Sequence, residues 1–281
     1  MLQQVDIITP HIMDAHTIDY PCGRPGWVCD AELPHWAPVH LGGVTLDFSP
    51  TKHVVMLLIA SVLCCLTLIP AAASHRRHKR VGGTPRGFGA GLEAVVLYLR
   101  SEVVLPNVGP HGDAYVPFVL TLFFFILFAN LLGLIPYGST PTGNVSVTAA
   151  LAIVSFIVIE ISGVRALGAG YWRTIVYWNH DLPIAVRIPM AVLMTPIEIV
   201  SKLTKPFALT IRLFANMTAG HVVLLALIGL IFIFRSWLIA PAPFLMAIAI
   251  SLLELFVALL QAFIFSLLTA VFIGQIREAA H

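Results

Sequence analysis

Five apolar segments, separated by short polar connections, follow a polar start of about fifty residues. Each reaches the length of about 20 residues that an α-helix needs to cross the core of a bilayer. The segments lie at about 53–73, 116–136, 145–164, 188–234 and 242–276. The pattern therefore predicts an all-α integral membrane protein with about five membrane-crossing helices.

The last two apolar segments are longer than one crossing requires. A continuous helix over 188–234 would be about 70 Å long, against a hydrocarbon core of about 30 Å. This segment is either two spans without a visible turn or one strongly tilted helix, since Pro206 kinks a helix as readily as it ends one. We expect a tilted helical hairpin that turns at the sequence RSWLIAPAP.

Two segments of the chain are not spans. The first is a polar arm at 1–52, rich in Pro, Gly and His, and the rest of the chain, 53–281, forms the membrane domain. Within that domain, 88–105 carries charged residues among Leu and Val. Such a mixture predicts an amphipathic helix that lies at the membrane interface.

The basic residues are unevenly distributed, although the formal net charge is only +2. Lys and Arg concentrate at 74–100, at 165–187 and at Arg277, whereas the other connections hold only Arg24, Lys52 and Arg235. The positive-inside rule places the N-terminus outside and the C-terminus in the cytoplasm, which an odd number of crossings satisfies. The start of the chain lacks a basic stretch before an apolar core, so we expect no cleavable signal peptide.

Composition excludes several classes of protein. Of all residues 58% are hydrophobic and 11% are charged, whereas a soluble domain has about 25% charged residues. No doubled Cys-x-x-Cys spacing and no GK[ST] loop occur, so we expect no metal site, no cofactor, no ATP site and no nucleic-acid partner. Cys64 and Cys65 fit apolar packing; Cys22 and Cys29 are either bridged in an oxidising compartment or free.

A stripe of polar residues crosses the fourth span. Its members are separated by three, four, seven and four positions, which places them within an arc of roughly 60° on one helix face. They are Glu198, Ser201, Lys205, Arg212 and Asn216. In the fifth span Glu254 and Gln261, seven positions apart, also share a face.

Antiparallel pairing about the turn relates the two stripes. The midpoint of Arg212 and Gln261 and that of His221 and Glu254 both fall within the turn at 235–243. Each pair should therefore lie at matched depth in the bilayer.

The chemistry of these groups suggests a barrier between two regions that exchange protons. Arg212 lies far from either interface and does not release its proton, so it acts as a fixed charge. His221 and Glu254 both titrate, and can pass protons on. Lys202 and Lys205 fit snorkelling as well as function, and Glu160 also fits simple contact with the inner boundary.

The segment PIEIVSKLTKPFALTIRLFANMTAGH, followed by LLELFVALLQAFIFSLLTAVFI, resembles the last two helices of subunit a of rotary F-type ATP synthase. The strings FFFILFANLLGLIP and TGNVSVTAAL extend the resemblance from about residue 90 to the C-terminus. The first 50 residues carry none of it.

The resemblance implies a role for each matching position. Arg212 corresponds to the arginine that faces the carboxylate of the rotating c-ring, with Asn216 and Gln261 beside it. Asn144, His221 and Glu254 fall in the half-channel open to the outside, and Glu198 and Ser201 in the half-channel open to the cytoplasm. Relatives from enteric bacteria exchange the acid and the imidazole, which leaves the order of proton steps open.

The same resemblance implies partners and a location. The partners are the c-ring, the b subunits of the peripheral stalk, the rest of the complex and membrane lipid. The location is a bacterial plasma (inner) membrane, and the chain is a non-catalytic stator subunit for proton transport.

The residues also bear on two other classes of protein. A stand-alone secondary transporter or ion channel tends to show internal repeats and broken helices, and no repeat is visible here. An intramembrane enzyme or haem protein would need a His-Glu-x-x-His motif or two deep histidines, whereas only His221 lies deep within a span.

Overall fold

The fold is seen in a computed structural model of the chain. Its description covers nine stretches of the sequence, and every structural statement below concerns these residues. They are 14–21, 28–41, 44–47, 49–81, 87–109, 112–135, 139–176, 183–234 and 240–278.

The described chain is mostly helical. Seven α-helices follow one another, and five of them are long and apolar enough to cross a membrane. They are α1 (Lys52–Val81), α2 (Phe88–Tyr98), α3 (Leu105–Val108), α4 (Val116–Gly133), α5 (Val145–Leu167), α6 (Ile184–Phe234) and α7 (Pro241–Glu278). The five candidate spans lie in α1, α4, α5, α6 and α7, which confirms the all-α membrane architecture expected from the sequence.

Helix α6 is a single helix of 51 residues, so the 188–234 segment is not two spans with a hidden turn. Its candidate span, Val186–Ile231, has 46 residues. At 1.5 Å per residue these extend for about 69 Å, more than twice the thickness of a bilayer core, so the helix must run strongly tilted or curved. Pro189, Pro196 and Pro206 lie inside it, where each removes one backbone hydrogen bond.

The polar arm contains strands that the sequence analysis did not predict. Strands β1 (Thr17–Pro21) and β2 (Val28–Glu32) pair antiparallel, and so do β3 (Val39–Leu41) and β4 (Val44–Leu46). Hydrogen bonding from Ser49 holds the pKa of Asp47, just after β4, below its ordinary value. Cys22 lies outside the described residues, so a bridge between Cys22 and Cys29 stays a prediction.

The predicted interfacial segment is more elaborate than one helix. After α2 the chain forms a π-helical turn at Leu99–Val104 and then the short helix α3. Leu99, Val103 and Val104 are buried, whereas Arg100 pairs with Asp113 at the surface, with 2.9 Å between Nη2 and Oδ1. Its position at the membrane interface stays a prediction.

The chain divides into two compact units. One comprises Met1–Thr67, Phe125–Val147 and Leu213–Gln261, and we call it the arm unit. Small residues pack its interior, with Ala60 and Ala129 completely buried beside Leu132. Alanines at such positions let helix backbones approach closely, as is common between helices in membranes.

The second unit comprises Leu68–Phe124, Thr148–Arg212 and Ala262–His281, and we call it the C-terminal unit. Its core joins the segment after α2 to α4, α5 and α7 through Val104, Val119, Ile159 and Ile273, which are at most 5% exposed. Gly274 lies against the backbone carbonyl of Asn107, where a side chain would overlap that oxygen.

Candidate functional site

His221 of α6 and Glu254 of α7 lie in contact in the arm unit. The ring Nδ1 of His221 hydrogen bonds with Oε1 of Glu254, and the carboxyl side chain is only 3% exposed. Gly220 precedes the histidine, and a Cβ placed there would come within 3.0 Å of Glu254 Oε1. A larger residue at position 220 would therefore push the carboxyl group away from its partner.

The second nitrogen of His221 contacts the loop between α4 and α5. Its Nε2 lies 2.6 Å from the hydroxyl oxygen of Thr140, which is buried. One imidazole nitrogen meets a hydroxyl and the other a carboxyl, so the ring has a hydrogen-bonding partner on each side.

Buried polar groups fix the loop that carries Thr140. The hydroxyl of Thr142 donates to the side-chain oxygen of Asn130, at 2.6 Å. The Asn130 amide in turn donates to the backbone carbonyl of Ala258 on α7, at 3.2 Å. Thr142 and Asn130 are both completely buried, so the loop is held by hydrogen bonds rather than by apolar packing alone.

A small cavity adjoins the His221 ring in the arm unit. Its volume of about 10 Å³ has room for roughly one water molecule. The lining residues are His53, Ser139, Thr140, Gly143, Met217, Thr218 and His221.

Asn144 lies at the start of α5. Its side-chain oxygen accepts a hydrogen bond from the backbone N–H of Ser146, at 2.9 Å, and so caps the helix. Its amide nitrogen lies 3.5 Å from Oδ2 of Asp14, in the arm. The structure thus places Asn144 beside an acidic residue that the sequence analysis had not selected.

A larger cavity lies in the C-terminal unit. It has a volume of about 140 Å³, and both inner-side residues selected from the sequence, Glu198 and Ser201, line it. Other polar residues share the lining, and they are Glu160, Thr174, Lys202, Lys205 and Gln275.

Lys202 is held by three groups at the edge of that cavity. Its Nζ lies 3.3 Å from Oε2 of Glu160, 3.3 Å from the hydroxyl of Tyr171 and 3.2 Å from that of Thr174. The lysine and glutamate side chains are 16% and 20% exposed, so their charges are largely removed from solvent within the chain. The ion pair links α6 to α5, and sequence spacing gave no indication of it.

Arg212 ends the α6 segment of the C-terminal unit and is exposed. Among the described residues, no hydrogen bond or ion pair reaches its guanidinium group. Asn216, one turn further along α6, is also exposed, whereas Gln261 on α7 is buried. Arg212 and Gln261 belong to different units, so their pairing at matched depth stays a prediction.

Comparison with known proteins gives the chain a family. Residues 54–274 match the family model described as ATP synthase A chain, which is most of the chain. The chain belongs to the ATP synthase A chain family. It is therefore an integral membrane subunit of the ATP synthase complex that takes part in proton translocation.

Individual relatives agree with the family model. An "ATP synthase subunit a" from Chloroherpeton thalassium is 41% identical over 267 residues, which cover 94% of this chain and 74% of the relative. An "ATP synthase subunit a 2" from Chlorobaculum tepidum is 42% identical over 96% of this chain and 72% of the relative's length. An "ATP synthase subunit a" from Myxococcus xanthus is 45% identical over 84% of this chain and 75% of the relative's length.

Family membership confirms the resemblance found in the sequence, and the role of each site residue stays a prediction. The geometry adds partners that the sequence analysis missed, namely Thr140 beside His221 and the pair formed by Glu160 and Lys202. Thr140 lies in a loop without periodicity, and Glu160 is 42 positions from Lys202, so no local pattern connects them.

Proposed function

We propose that this chain is a proton-translocating stator subunit with two offset aqueous half-channels that meet a rotating c-ring, and that Arg212 separates them. The observation that carries the proposal is the state of Arg212. It is a permanent cation on the longest apolar helix, is exposed on the chain's surface, and has no partner among the described residues.

The positive charge of Arg212 needs an anionic partner on another polypeptide. A charge deep in a bilayer costs a few kcal/mol even on the lenient insertion scale, about 3 kcal/mol for arginine. On α6 the acidic residue of its stripe, Glu198, lies fourteen positions before it, or about 21 Å along the helix. Neither flank of the helix therefore brings it an acidic neighbour from the stripe, and a c-ring carboxylate would supply one.

The surface of α6 agrees with a protein partner of this kind. Almost none of its candidate span is buried within the chain. Large apolar side chains, among them Leu203, Phe207 and Ile211, remain exposed around the polar stripe. A polar stripe with an apolar border suits a surface that meets a ring of helices carrying one carboxyl group each.

The outer half-channel is assigned to Asn144, His221 and Glu254. A proton that enters there passes through the hydrogen bond between His221 and Glu254 and neutralises a ring carboxylate beside Arg212. The neutral site then rotates into lipid, which a charged carboxylate would not enter.

The inner half-channel is assigned to Glu198 and Ser201. After nearly a full turn the ring site loses its proton to the route past Glu198, along the cavity of about 140 Å³. The resulting anion is attracted to Arg212, which cannot itself carry the proton. Asn216 and Gln261 keep the guanidinium oriented and hydrated. The membrane potential drives the cycle by about 2.3 kcal/mol per charge for each 100 mV, in addition to the pH gradient.

The proposal includes the surroundings of the chain. The c-ring and the b subunits of the peripheral stalk are its neighbours in the complex, and the membrane is a bacterial plasma (inner) membrane. The N-terminus lies outside and the C-terminus in the cytoplasm, as the distribution of Lys and Arg indicates. Residues 1–52 form the outer arm and 53–281 the membrane domain.

The test removes the charge of Arg212 in the assembled complex. Arg212→Ala should abolish proton pumping driven by ATP and ATP synthesis driven by a proton gradient in membrane vesicles. The matched control is Arg100→Ala, which removes an exposed arginine of the π-helical turn and should leave both activities near those of the unaltered complex. Coupled pumping retained by Arg212→Ala would contradict the proposal.

A further inference from the structure

We propose that His53, with Asp14 at its side, is an additional relay residue at the entrance of the outer proton pathway. The inference rests on the proposed function and extends it towards the water outside. It rests on a buried titratable ring that the proposed pathway through Asn144, His221 and Glu254 leaves unused.

His53 lies in the first turn of α1, where it meets the arm and the loop before α5. Its side chain is 3% exposed. Ring Nε2 lies 3.9 Å from Oδ1 of Asp14, and ring Nδ1 lies 3.4 Å from the hydroxyl oxygen of Ser139. The imidazole therefore lies between a carboxylate and a hydroxyl, with a different element on each side.

Asp14 connects this ring to water. Its side chain is 31% exposed, ten times the fraction of the His53 side chain. The same carboxylate accepts a hydrogen bond from the backbone N–H of His53, at 3.4 Å, and lies 3.5 Å from the amide of Asn144. Asp14 thus joins His53 to a residue already assigned to the outer half-channel.

The other side of His53 leads to His221. Ser139 is followed directly by Thr140, whose hydroxyl lies 2.6 Å from Nε2 of His221. Both histidines line the small cavity, which has room for roughly one water molecule. A proton path thus runs from exposed Asp14 through His53, Ser139, a water molecule in the cavity and Thr140 to His221 and buried Glu254. Its first step, at 3.9 Å, needs a bridging water or a small rotation of the Asp14 side chain.

Every group on this path can receive a proton and release one. Imidazole accepts at one nitrogen and donates from the other, and a hydroxyl or a water molecule does the same through its oxygen. For each proton taken up at Asp14, one leaves at Glu254, and every carrier returns to its starting state.

The experiment uses the whole ATP synthase in sealed membrane vesicles, and it measures proton pumping driven by ATP for each assembled complex. His53→Gln keeps a polar side chain of similar reach but cannot titrate, and it should lower pumping about tenfold. The matched control is His40→Gln, which changes an exposed histidine of the arm strand β3 and should pump like the unaltered complex.

Rescue separates a relay from a structural role. Added imidazole should restore at least part of the pumping of His53→Ala, because the free base can occupy the vacated space, and should leave His40→Ala unchanged. Pumping by His53→Gln at the rate of the control would overturn the inference. The inference would also be overturned if the His53→Ala complex assembled, pumped slowly and did not respond to imidazole.

Failure of this inference is distinguishable from failure of the proposed function. His221→Ala should lose pumping if the outer half-channel is placed correctly, whether or not His53 relays protons. Loss in His221→Ala together with normal pumping in His53→Gln removes His53 alone from the path. Normal pumping in His221→Ala removes the outer half-channel itself, and the His53 relay with it.

Discussion

His221 and Glu254, 33 positions apart in the chain, share a hydrogen bond that joins α6 to α7 in the arm unit. The contact brings an imidazole and a carboxyl group together away from solvent. An imidazole nitrogen and a carboxyl oxygen can each hold a proton, so the proton of this hydrogen bond has two alternative carriers.

Exchange of the two residues tests whether the pair relays protons. The double variant His221→Glu with Glu254→His keeps one acid and one imidazole in the same contact, whereas His221→Ala and Glu254→Ala each remove one. We expect proton pumping by the exchanged variant to exceed that of either single variant by about tenfold. Pumping driven by ATP in membrane vesicles gives the comparison, and equal losses in all three variants would show that the pair does not relay protons.

Gly133 provides a steric test of the contact between Thr140 and His221. A Cβ at position 133 would overlap the Thr140 hydroxyl and come within 2.9 Å of His221 Nε2. Gly133→Ala should therefore displace that hydroxyl and lower pumping several-fold, since the loss of a hydrogen bond of about 1 kcal/mol corresponds to roughly fivefold.

The matched control for this test is Gly229→Ala. A Cβ there meets nothing within 4 Å, and alanine favours the helix by about 1 kcal/mol over glycine. Pumping by the Gly229 variant should be unchanged. If the Gly133 variant assembled and pumped equally well, the hydroxyl would have no part in the path.

The ion pair between Lys202 and Glu160 predicts an effect on the inner side. Glu160→Gln leaves the lysine charge without its carboxylate, and Lys202→Gln leaves the carboxylate without its cation, so each should lower the yield of assembled, pumping complex. The charge exchange Glu160→Lys with Lys202→Glu keeps a pair and should recover part of the loss. The measurement is the yield of complex together with its pumping.

The exposed pair formed by Arg100 and Asp113 serves as the control for the inner-side test. Both side chains are about half or more exposed, so a surface ion pair of this kind contributes about 0–1 kcal/mol. Asp113→Asn should therefore assemble and pump normally. A charge exchange at 160 and 202 that does no better than the single changes would indicate that the pair itself contributes nothing.

The membrane helices were predictable because their signal is local. Runs such as that of α4 hold no charge over 18 residues, which is enough to identify a span. Helix α1 extends beyond the apolar run predicted at 53–73 and ends at Val81. Lys and Arg favour helical backbone, so the basic residues that follow the apolar run continue the helix. The arm strands, three to five residues each, are too short for an alternating pattern to stand out.

The candidate site was predictable only where helical geometry carried the argument. The contact between His221 and Glu254 follows from their nearly equal numbers of residues from the turn between α6 and α7. The alignment of Glu198 with Ser201 follows from helical periodicity. Thr140 and Asp14 lie in loops, whose backbone direction no periodicity determines. Their positions depend on tertiary contacts between segments distant in sequence.

Pro206 gives the inner cavity a property that comes from the backbone. Proline has no N–H, so the carbonyl oxygen of Lys202, four positions earlier, does not receive the hydrogen bond that would normally continue α6. Both residues line the same cavity. The main chain itself thus leaves an acceptor at this point of the cavity, and in the proposed inner half-channel this carbonyl would bind water beside the charged side chains.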